Sequence, residues 1–239
     1  MTEPVVQVIT PELLLGVVGT GLISVSDFNC VLHPRAVAPL QELAAAAKAS
    51  GFNLQVASSY RDFARQLLIW NNKANGLRPV LDANGELVDV ALLNDKEKIF
   101  AILRWSALPG ASRHHWGTDL DVYDTSRMDA NYALQLTLAE TQGDGPFAAF
   151  HYWLNAELMN CSRGFFRPFC DGVGAVAAEP WHLSYAPVAN VYAAQMSEAI
   201  VRAQIQISDI ALKETLLENL SEIYQRFIQP YCEKGKCIE

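Results

Sequence analysis

Two short segments of this chain carry residues whose types and spacing suit hydrolysis at a metal ion. The first holds His114 and Asp121, with Gly117 between them, and the second holds Glu179 and His182. Two histidines and one aspartate can bind a zinc ion and leave its fourth position open for water. A glutamate that is not a ligand can then take the proton of that water as a general base.

Spacing alone leaves alternatives for these roles. Asp119 competes with Asp121 as a ligand, while Asp124 is expected to cap the turn that follows a strand. On a straight strand Glu179 and His182 would point to opposite faces, so the interpretation requires a bend near Pro180. The remaining histidines are expected to be ordinary core or surface residues: His33, His115 and His151.

The order of these residues resembles the signature of a known family. The motif Ser112-x-His114-x-x-Gly117-x-x-x-Asp121 is followed by Glu179-Pro180-Trp181-His182-Leu183-Ser184-Tyr185. Further matches are Ser58-Ser59-Tyr60-Arg61 with Gln66, Pro109-Gly110, Trp153-Leu154 and Gly164-Phe165-Phe166-Arg167-Pro168. Over roughly residues 34–186 the set is similar to the D-Ala-D-Ala carboxypeptidases of the VanY and VanX type. That family belongs to a wider group with lysostaphin-like peptidases and the hedgehog signalling domain.

The resemblance implies a role for each matched position. His114, Asp121 and His182 would bind one zinc ion, and Glu179 would be the catalytic base. Arg61 would face the scissile carbonyl, because a permanently charged guanidinium suits a developing oxyanion. A structural ion pair is the alternative for Arg61, and a turn or cap for Ser112. The residues that would line the substrate site are Ser112, Gln66, Tyr60 and Trp181.

The chain also departs from the family pattern. Asp119 stands where the family usually has a small apolar residue, and an extra carboxylate there could bond a ligand histidine. His115-Trp116 replaces a smaller pair. Residues 125–145 and the tail after Pro187 have no counterpart in the resemblance, so they leave the substrate preference open.

Periodic apolar residues indicate an α+β fold. Helices are predicted at residues 34–50, 62–75, 96–105 and 147–160, and strands at 53–58, 118–123, 164–169 and 181–185. We therefore expect a small antiparallel sheet flanked by helices, with zinc in the groove. Residues 1–187 would form the peptidase domain. Residues 188–239 would form a helical C-terminal extension on the core or on a partner, with long helices at 188–207 and 208–227.

Composition restricts the partners and the compartment. With 51% hydrophobic residues the chain can build a core, and its formal net charge of -8 disfavours nucleic acid as a partner. Residues 13–24 are too short and too interrupted to span a bilayer or to form a signal peptide. We expect a cytoplasmic protein without a transmembrane segment, and the alternatives are the periplasm and the extracellular space.

The cysteines give no disulfide framework. Five cysteines are spread widely along the chain, and an odd number is not typical of a disulfide-rich fold. Free thiols are the preferred interpretation, as in a reducing compartment. The alternative pairs are Cys161 with Cys170 and Cys232 with Cys237.

The resemblance implies a zinc peptidase that hydrolyses the terminal D-alanyl-D-alanine bond of peptidoglycan stem peptides or their fragments. The alternatives are an L,D-carboxypeptidase or an endopeptidase on the same scaffold, and a zinc-binding module without catalysis. A groove closed at one end would favour a carboxypeptidase or a dipeptidase, whereas an open groove would favour an endopeptidase. The presence of Glu179 together with Arg61 disfavours a non-catalytic module.

Overall fold

A four-stranded antiparallel sheet forms the centre of the computed structural model, which describes residues 9–129, 131–159 and 163–231. Its strands are β3 (Leu54–Ser58), β4 (Asp119–Asp124), β5 (Phe165–Phe166) and β6 (His182–Tyr185). Their order in the sheet is β3-β4-β6-β5. A separate two-stranded hairpin pairs β1 (Ile23–Val25) with β2 (Cys30–Leu32). The expected α+β fold with a small antiparallel sheet is confirmed.

Helices surround the sheet and extend beyond it. In the first part of the chain they are α1 (Pro11–Leu14), α2 (Pro34–Ala49), α3 (Phe63–Ala74) and α4 (Asp95–Leu103). After β4 follow α5 (Leu138–Thr141), α6 (Ala148–Met159), α7 (Ala186–Ala193), α8 (Glu198–Ile207), α9 (Lys213–Glu218) and α10 (Leu220–Ile223). A π-helical turn, Tyr224–Ile228, continues α10.

Strand β4 separates the apolar core from the candidate site. Leu120 and Val122 are fully buried and pack in one apolar cluster with α2 and α6. Because successive side chains of a strand point to opposite faces, Asp119 and Asp121 lie on the other face. The core thus fixes which residues of β4 face the site.

The local signals in the sequence explain where the early helices begin. Helix α2 starts at Pro34, and the His33 ring accepts a hydrogen bond from the Arg35 backbone N–H. Helix α3 follows Asp62, whose carboxylate accepts from the Arg65 N–H. Both helices lie within one residue of the predicted bounds because such caps satisfy the free N–H groups of a first turn. The strand predicted at 164–169 is shorter and covers only Phe165–Phe166.

The prediction of two long helices after residue 187 is wrong. The structure has α7, α8, α9 and α10 instead. Ser197 ends the first stretch because its hydroxyl accepts from the Ile200 N–H and so starts a new helix. Leu212 has a φ of 66°, a left-handed conformation that interrupts the second stretch.

Helices α8 to α10 pack against α3 and α4. Val201, Leu216 and Ile223 belong to the same buried apolar cluster as Trp70 and Ile102. The Trp70 indole N–H also donates to the Ala211 carbonyl at 3.0 Å. The domain boundary at residue 187 stays a prediction, but these helices share a core with the preceding part of the chain.

The cysteine prediction is wrong at one position. Cys170 is disulfide-bonded. Cys161, Cys232 and Cys237, which the alternative pairings involve, lie outside the described residues. Cys30 is a buried free thiol. Separately, none of the described helices combines the length and the apolar character that crossing a membrane requires.

We predict that Gly117→Ala destabilises the protein more than Gly51→Ala. Both glycines have a positive φ, 64° and 86°, so each substitution introduces backbone strain of about 1–2 kcal/mol. A Cβ at Gly117 would also lie 2.6 Å from Leu22 Cδ2 and 3.0 Å from the His33 backbone nitrogen. A Cβ at Gly51 would have no heavy atom of the described residues within 4 Å, apart from its chain neighbours. Overpacking adds about 1–3 kcal/mol. Urea unfolding measures the difference, and equal effects of the two substitutions would contradict it.

Candidate active site

Three elements bring His114, Asp121 and His182 together. Asp121 on β4 is paired with His182 on β6. His114 lies in the 3-10 turn Arg113–Trp116, and Gly117 at φ 64° turns the chain from there into β4. One ligand atom of each residue lies within 4.8 Å of those of the other two, and all three residues are buried. The expected grouping of these three residues is present.

The His114 ring has a defined tautomer. Its Nδ1 lies 2.8 Å from the Ser59 carbonyl oxygen, which can only accept a hydrogen bond, so Nδ1 carries the proton. Its Nε2 lone pair then faces Asp121 Oδ2 at 3.5 Å. Burial lowers the pKa of His114 to about 4, which keeps the ring neutral. The His114 Nε2 lone pair and the Asp121 carboxylate oxygen, which face each other in a buried site, could therefore both bind one cation.

The His182 ring is surrounded by carboxylates. Its Nε2 lies 2.9 Å from Asp119 Oδ1, and its Nδ1 lies 3.2 Å from Asp121 Oδ1 and 3.3 Å from Glu179 Oε2. Burial lowers the pKa of His182, but the close approach of these three carboxylates outweighs burial and raises the pKa well above its ordinary value. The surroundings therefore favour a positive charge at Nδ1, whether a proton or a metal ion provides it.

The donor set fits a catalytic zinc site. Asp121 Oδ1 is buried and makes no hydrogen bond of good geometry among the described residues. A buried carboxylate oxygen without a partner is unfavourable unless a cation or a donor reaches it. Two imidazoles and one carboxylate are ligands typical of zinc in hydrolases. The site satisfies the chemical requirements that the sequence predicts.

Glu179 reaches the site through the bend that the sequence interpretation requires. The His182 backbone N–H donates to the Glu179 carbonyl at 3.0 Å, which turns both side chains to the same side. The Arg167 guanidinium donates through Nε to the Pro180 carbonyl at 2.6 Å and holds this bend. Burial raises the pKa of Glu179, although His182 and Arg61 oppose the shift. A raised pKa suits a group that accepts and returns a proton near neutral pH.

Arg61 is held in place at the edge of the site. Its Nη1 donates to Gln66 Oε1 at 2.8 Å, and its Nη2 donates to Ser58 Oγ at 3.0 Å. Gln66 is fully buried and donates in turn to the Ala107 carbonyl at 2.7 Å. The alternative of a structural ion pair for Arg61 finds no support, because these two hydrogen bonds of its guanidinium go to neutral groups.

His115 is a contact of Arg61 that the sequence interpretation missed. Its Nδ1 donates to the Arg61 carbonyl at 2.6 Å, and its Nε2 accepts from the Gly110 N–H at 3.1 Å. Burial lowers the pKa of His115 to about 4. Its position next to a ligand histidine was the available signal, but sequence does not show which way a neighbouring ring turns in a 3-10 turn.

Asp119 supports the site without being one of the three grouped ligands. Besides His182 it accepts from Arg113 Nε at 2.9 Å, Thr118 Oγ1 at 2.6 Å and Ser184 Oγ at 3.0 Å. Burial raises its pKa, but Arg113 and His182 hold the pKa well below its ordinary range. Asp119 is therefore a buried carboxylate anion that bonds the far nitrogen of the His182 ring. Asp124 accepts from the Ser126 and Asn53 N–H groups, as expected for a turn cap.

A cavity of about 300 Å³ opens onto these residues. Its polar lining includes Arg61, Ser112, Arg113, His114, Asp121, Gln135, Glu179 and His182, with Trp181 beside them. Its apolar lining includes Leu103, Leu108, Ala111, Val176, Phe227 and Ile228. Gln66 and Tyr60, both expected to touch the substrate, are not among the described residues that line it. Gln66 instead positions Arg61, and Tyr60 lines a neighbouring cleft.

One solved structure supports the fold, and a second is similar with a lower TM-score. The LdcB LD-carboxypeptidase is 20% identical, with a TM-score of 0.51 over 82% of this chain and 77% of that one. A VanY D,D-pentapeptidase from a VanB-type vancomycin resistance cassette, in complex with Zn(II), is 24% identical. Its TM-score is 0.49 over 83% of this chain and 90% of that one.

Two uncharacterized proteins of Haemophilus influenzae are related in sequence. One is 47% identical over 103 residues, which are 42% of this chain and 70% of the relative. The other is 31% identical over 123 residues, which are 51% of this chain and 92% of the relative.

The family model "VanY: D-alanyl-D-alanine carboxypeptidase" matches residues 29–188. This range contains His114, Asp121, Glu179, His182 and Arg61, and it ends within α7. Because the match covers more than half of the 239 residues, the chain belongs to the VanY family of D-alanyl-D-alanine carboxypeptidases, which act on peptidoglycan peptides.

Proposed function

We propose that this chain is a zinc-dependent D,D-carboxypeptidase that removes the terminal D-alanine from peptidoglycan stem peptides or their fragments. The observation that carries the proposal is the grouping of three ligand atoms within 4.8 Å, with Glu179 Oε2 only 3.3 Å from His182 Nδ1. Membership of the family supports the class of substrate.

In this proposal His114 Nε2, Asp121 and His182 Nδ1 hold one zinc ion. A bound zinc ion there supplies a lowered pKa for water and polarisation of the scissile carbonyl. His114 is suited to binding because its Nδ1 proton is fixed on the Ser59 carbonyl, which leaves Nε2 free. His182 is suited because Asp119 fixes its Nε2.

Glu179 is the proposed general base. Its carboxylate takes a proton from the attacking water and then gives a proton to the amine of the leaving D-alanine. Its burial supports this role, because a raised pKa brings the carboxyl group closer to the pH at which it must exchange protons. The Arg167 contact with Pro180 keeps the Glu179 bend in one position.

Arg61 is the proposed oxyanion stabiliser. Its guanidinium lines the cavity and stabilises the negative charge that develops on the carbonyl oxygen of the substrate. The guanidinium donates to Gln66 and Ser58, and the His115 ring donates to the Arg61 backbone carbonyl, so Arg61 is held before the substrate arrives. A charge held in advance requires little rearrangement during the reaction, which favours catalysis.

An L,D-carboxypeptidase is the second candidate. The LdcB protein, whose fold is similar, is described as an LD-carboxypeptidase. An endopeptidase on the same scaffold is a further alternative, which an open end of the cavity would favour. A zinc-binding module without catalysis is disfavoured because Glu179 and Arg61 both line that cavity.

We further propose that the protein works in an oxidising compartment, the periplasm or the cell exterior, rather than in the cytoplasm. The disulfide bond of Cys170 supports this change from the sequence-based expectation. Disulfides persist in such compartments and are rare in reducing ones.

The substrate is tested with a stem pentapeptide that ends in D-Ala-D-Ala. We expect the zinc-loaded protein to release one alanine, as measured by mass spectrometry of the products. Glu179→Ala protein is the blank, and a chelator should abolish release. Loss of alanine only from a tetrapeptide that ends in L-residue-D-Ala would favour the L,D-specific candidate, and an internal cut would favour an endopeptidase.

The metal role is tested by zinc content. We expect the purified protein to retain one zinc ion per chain, and His182→Ala to lose most of it, because three protein ligands are required for a stable catalytic site. Glu179→Ala should keep the zinc while losing activity. Atomic emission spectroscopy measures the content. Equal zinc loss in both variants would contradict the division into ligand and base.

Asp119→Asn should weaken zinc binding by about 10–100-fold, the range typical when a carboxylate behind a ligand histidine is removed. A competition titration with a chromogenic chelator measures the affinity. Asp124→Asn is the matched control, because Asp124 is a buried carboxylate on the same strand that bonds Ser126 and Asn53. Similar zinc affinity in Asp119→Asn and in the wild type would refute the assigned role.

A further inference from the structure

We infer that residues 227–231 close one side of the substrate cavity and restrict the reaction to peptides with a small C-terminal residue. The inference rests on the proposed carboxypeptidase activity and assigns its specificity. The four residues that carry it line the same cavity as Glu179 and the three grouped ligands: Phe227, Ile228, Pro230 and Tyr231.

This wall lies outside the part of the chain that the family accounts for. The family match ends at residue 188, about forty residues before the wall begins. The cavity is therefore built from two sources: the family core supplies the polar groups, and the C-terminal extension supplies part of the enclosing surface. A residue that determines substrate specificity can thus lie in the C-terminal extension, outside the range that the family model matches.

The wall is anchored to the core. The π-helical turn Tyr224–Ile228 carries Phe227 into the apolar cluster, where its ring centre lies 5.5 Å from that of Phe100. The Arg226 carbonyl accepts from the Ala175 N–H at 2.8 Å. Insertions of this π-helical kind are frequent at functional sites. These contacts fix the position of the wall against the apolar core.

A second set of contacts joins the wall to the candidate metal site. The ring centre of Tyr231 lies 5.0 Å from Cζ of Arg113. Arg113 bonds Asp119 at 2.9 Å, and Asp119 bonds His182 at 2.9 Å. The wall is thus connected through Arg113 and Asp119 to a residue that would hold the zinc ion, and the wall and His182 line the same cavity.

The size and character of the enclosure define the substrate. A cavity of about 300 Å³ is at the small end of ligand-binding pockets, and it must also admit the scissile bond. A peptide cannot continue through a closed wall, so the residue that meets it is terminal. In the proposed reaction that residue is the leaving C-terminal one, and the apolar lining favours a methyl side chain over a bulky one.

Ile228 provides the test, because it lines the cavity and is only half-buried, which makes its truncation tolerable. The probes are peptides that end in D-Ala-D-Ala, D-Ala-D-Leu or D-Ala-D-Phe, and kcat/KM is measured for each. We expect the wild type to prefer D-Ala. Ile228→Ala should raise the D-Leu to D-Ala ratio by about tenfold or more, since one methylene in such a pocket changes discrimination by that order.

Ile207→Ala is the matched control. It makes the same change in the same extension, at a side chain that is 80% exposed and does not line the cavity. Its D-Leu to D-Ala ratio should equal that of the wild type. Thermal melting confirms that each variant is folded, and Ile228→Val, a smaller truncation, should shift the ratio in the same direction if Ile228→Ala does not fold.

Two results overturn the inference alone: an Ile228 variant that is folded and active with an unchanged ratio, or equal wild-type rates on D-Ala-D-Ala and on the same peptide extended by one residue. A wild type that contains zinc but cleaves none of the peptides overturns the proposed function, and the inference with it.

Discussion

The pairing of β4 with β6 is the constraint on which the candidate site depends. It sets Asp121 opposite His182, and it places Asp119 within reach of the same ring. Leu120 and Leu183, both fully buried, pack on the other face and fix this register. A slip of one residue would turn the carboxylates into the apolar core and the leucines into the cavity. The hydrophobic core therefore sets the geometry of the polar site.

The charges of the site follow from its burial. Three carboxylates, those of Asp119, Asp121 and Glu179, face two guanidinium groups, those of Arg61 and Arg113. Buried charges are tolerated when opposite charges compensate them, so this arrangement favours at least one more positive charge. A proton on His182 or a metal ion at its Nδ1 both provide it. The same imbalance explains why burial alone does not set the pKa of His182.

Short-range patterns in the sequence predicted much of this arrangement, whereas contacts between distant segments were out of reach. Capping residues such as Asp62 located the early helices, and the motif order grouped His114, Asp121, Glu179 and His182. Two of the partners of Asp119 are Arg113 and Ser184, and the second of these is on another strand, so no local pattern reveals it. The breaks at Ser197 and Leu212 were missed because apolar periodicity continues through them. The approach of Ile228 to the cavity depends on the packing of α8 to α10 against α3 and α4.

The three grouped ligands come from segments that meet only in the folded chain, since His182 follows Asp121 after the whole of α5, α6 and β5. An unfolded chain cannot hold these atoms together, so a metal ion would bind the native state and not the denatured one. Its binding free energy would then add to the stability of the fold, by about 2.7 kcal/mol at a free concentration one hundred times the Kd. The catalytic centre would also act as a cross-link, and resistance to unfolding would depend on how much metal the surroundings provide.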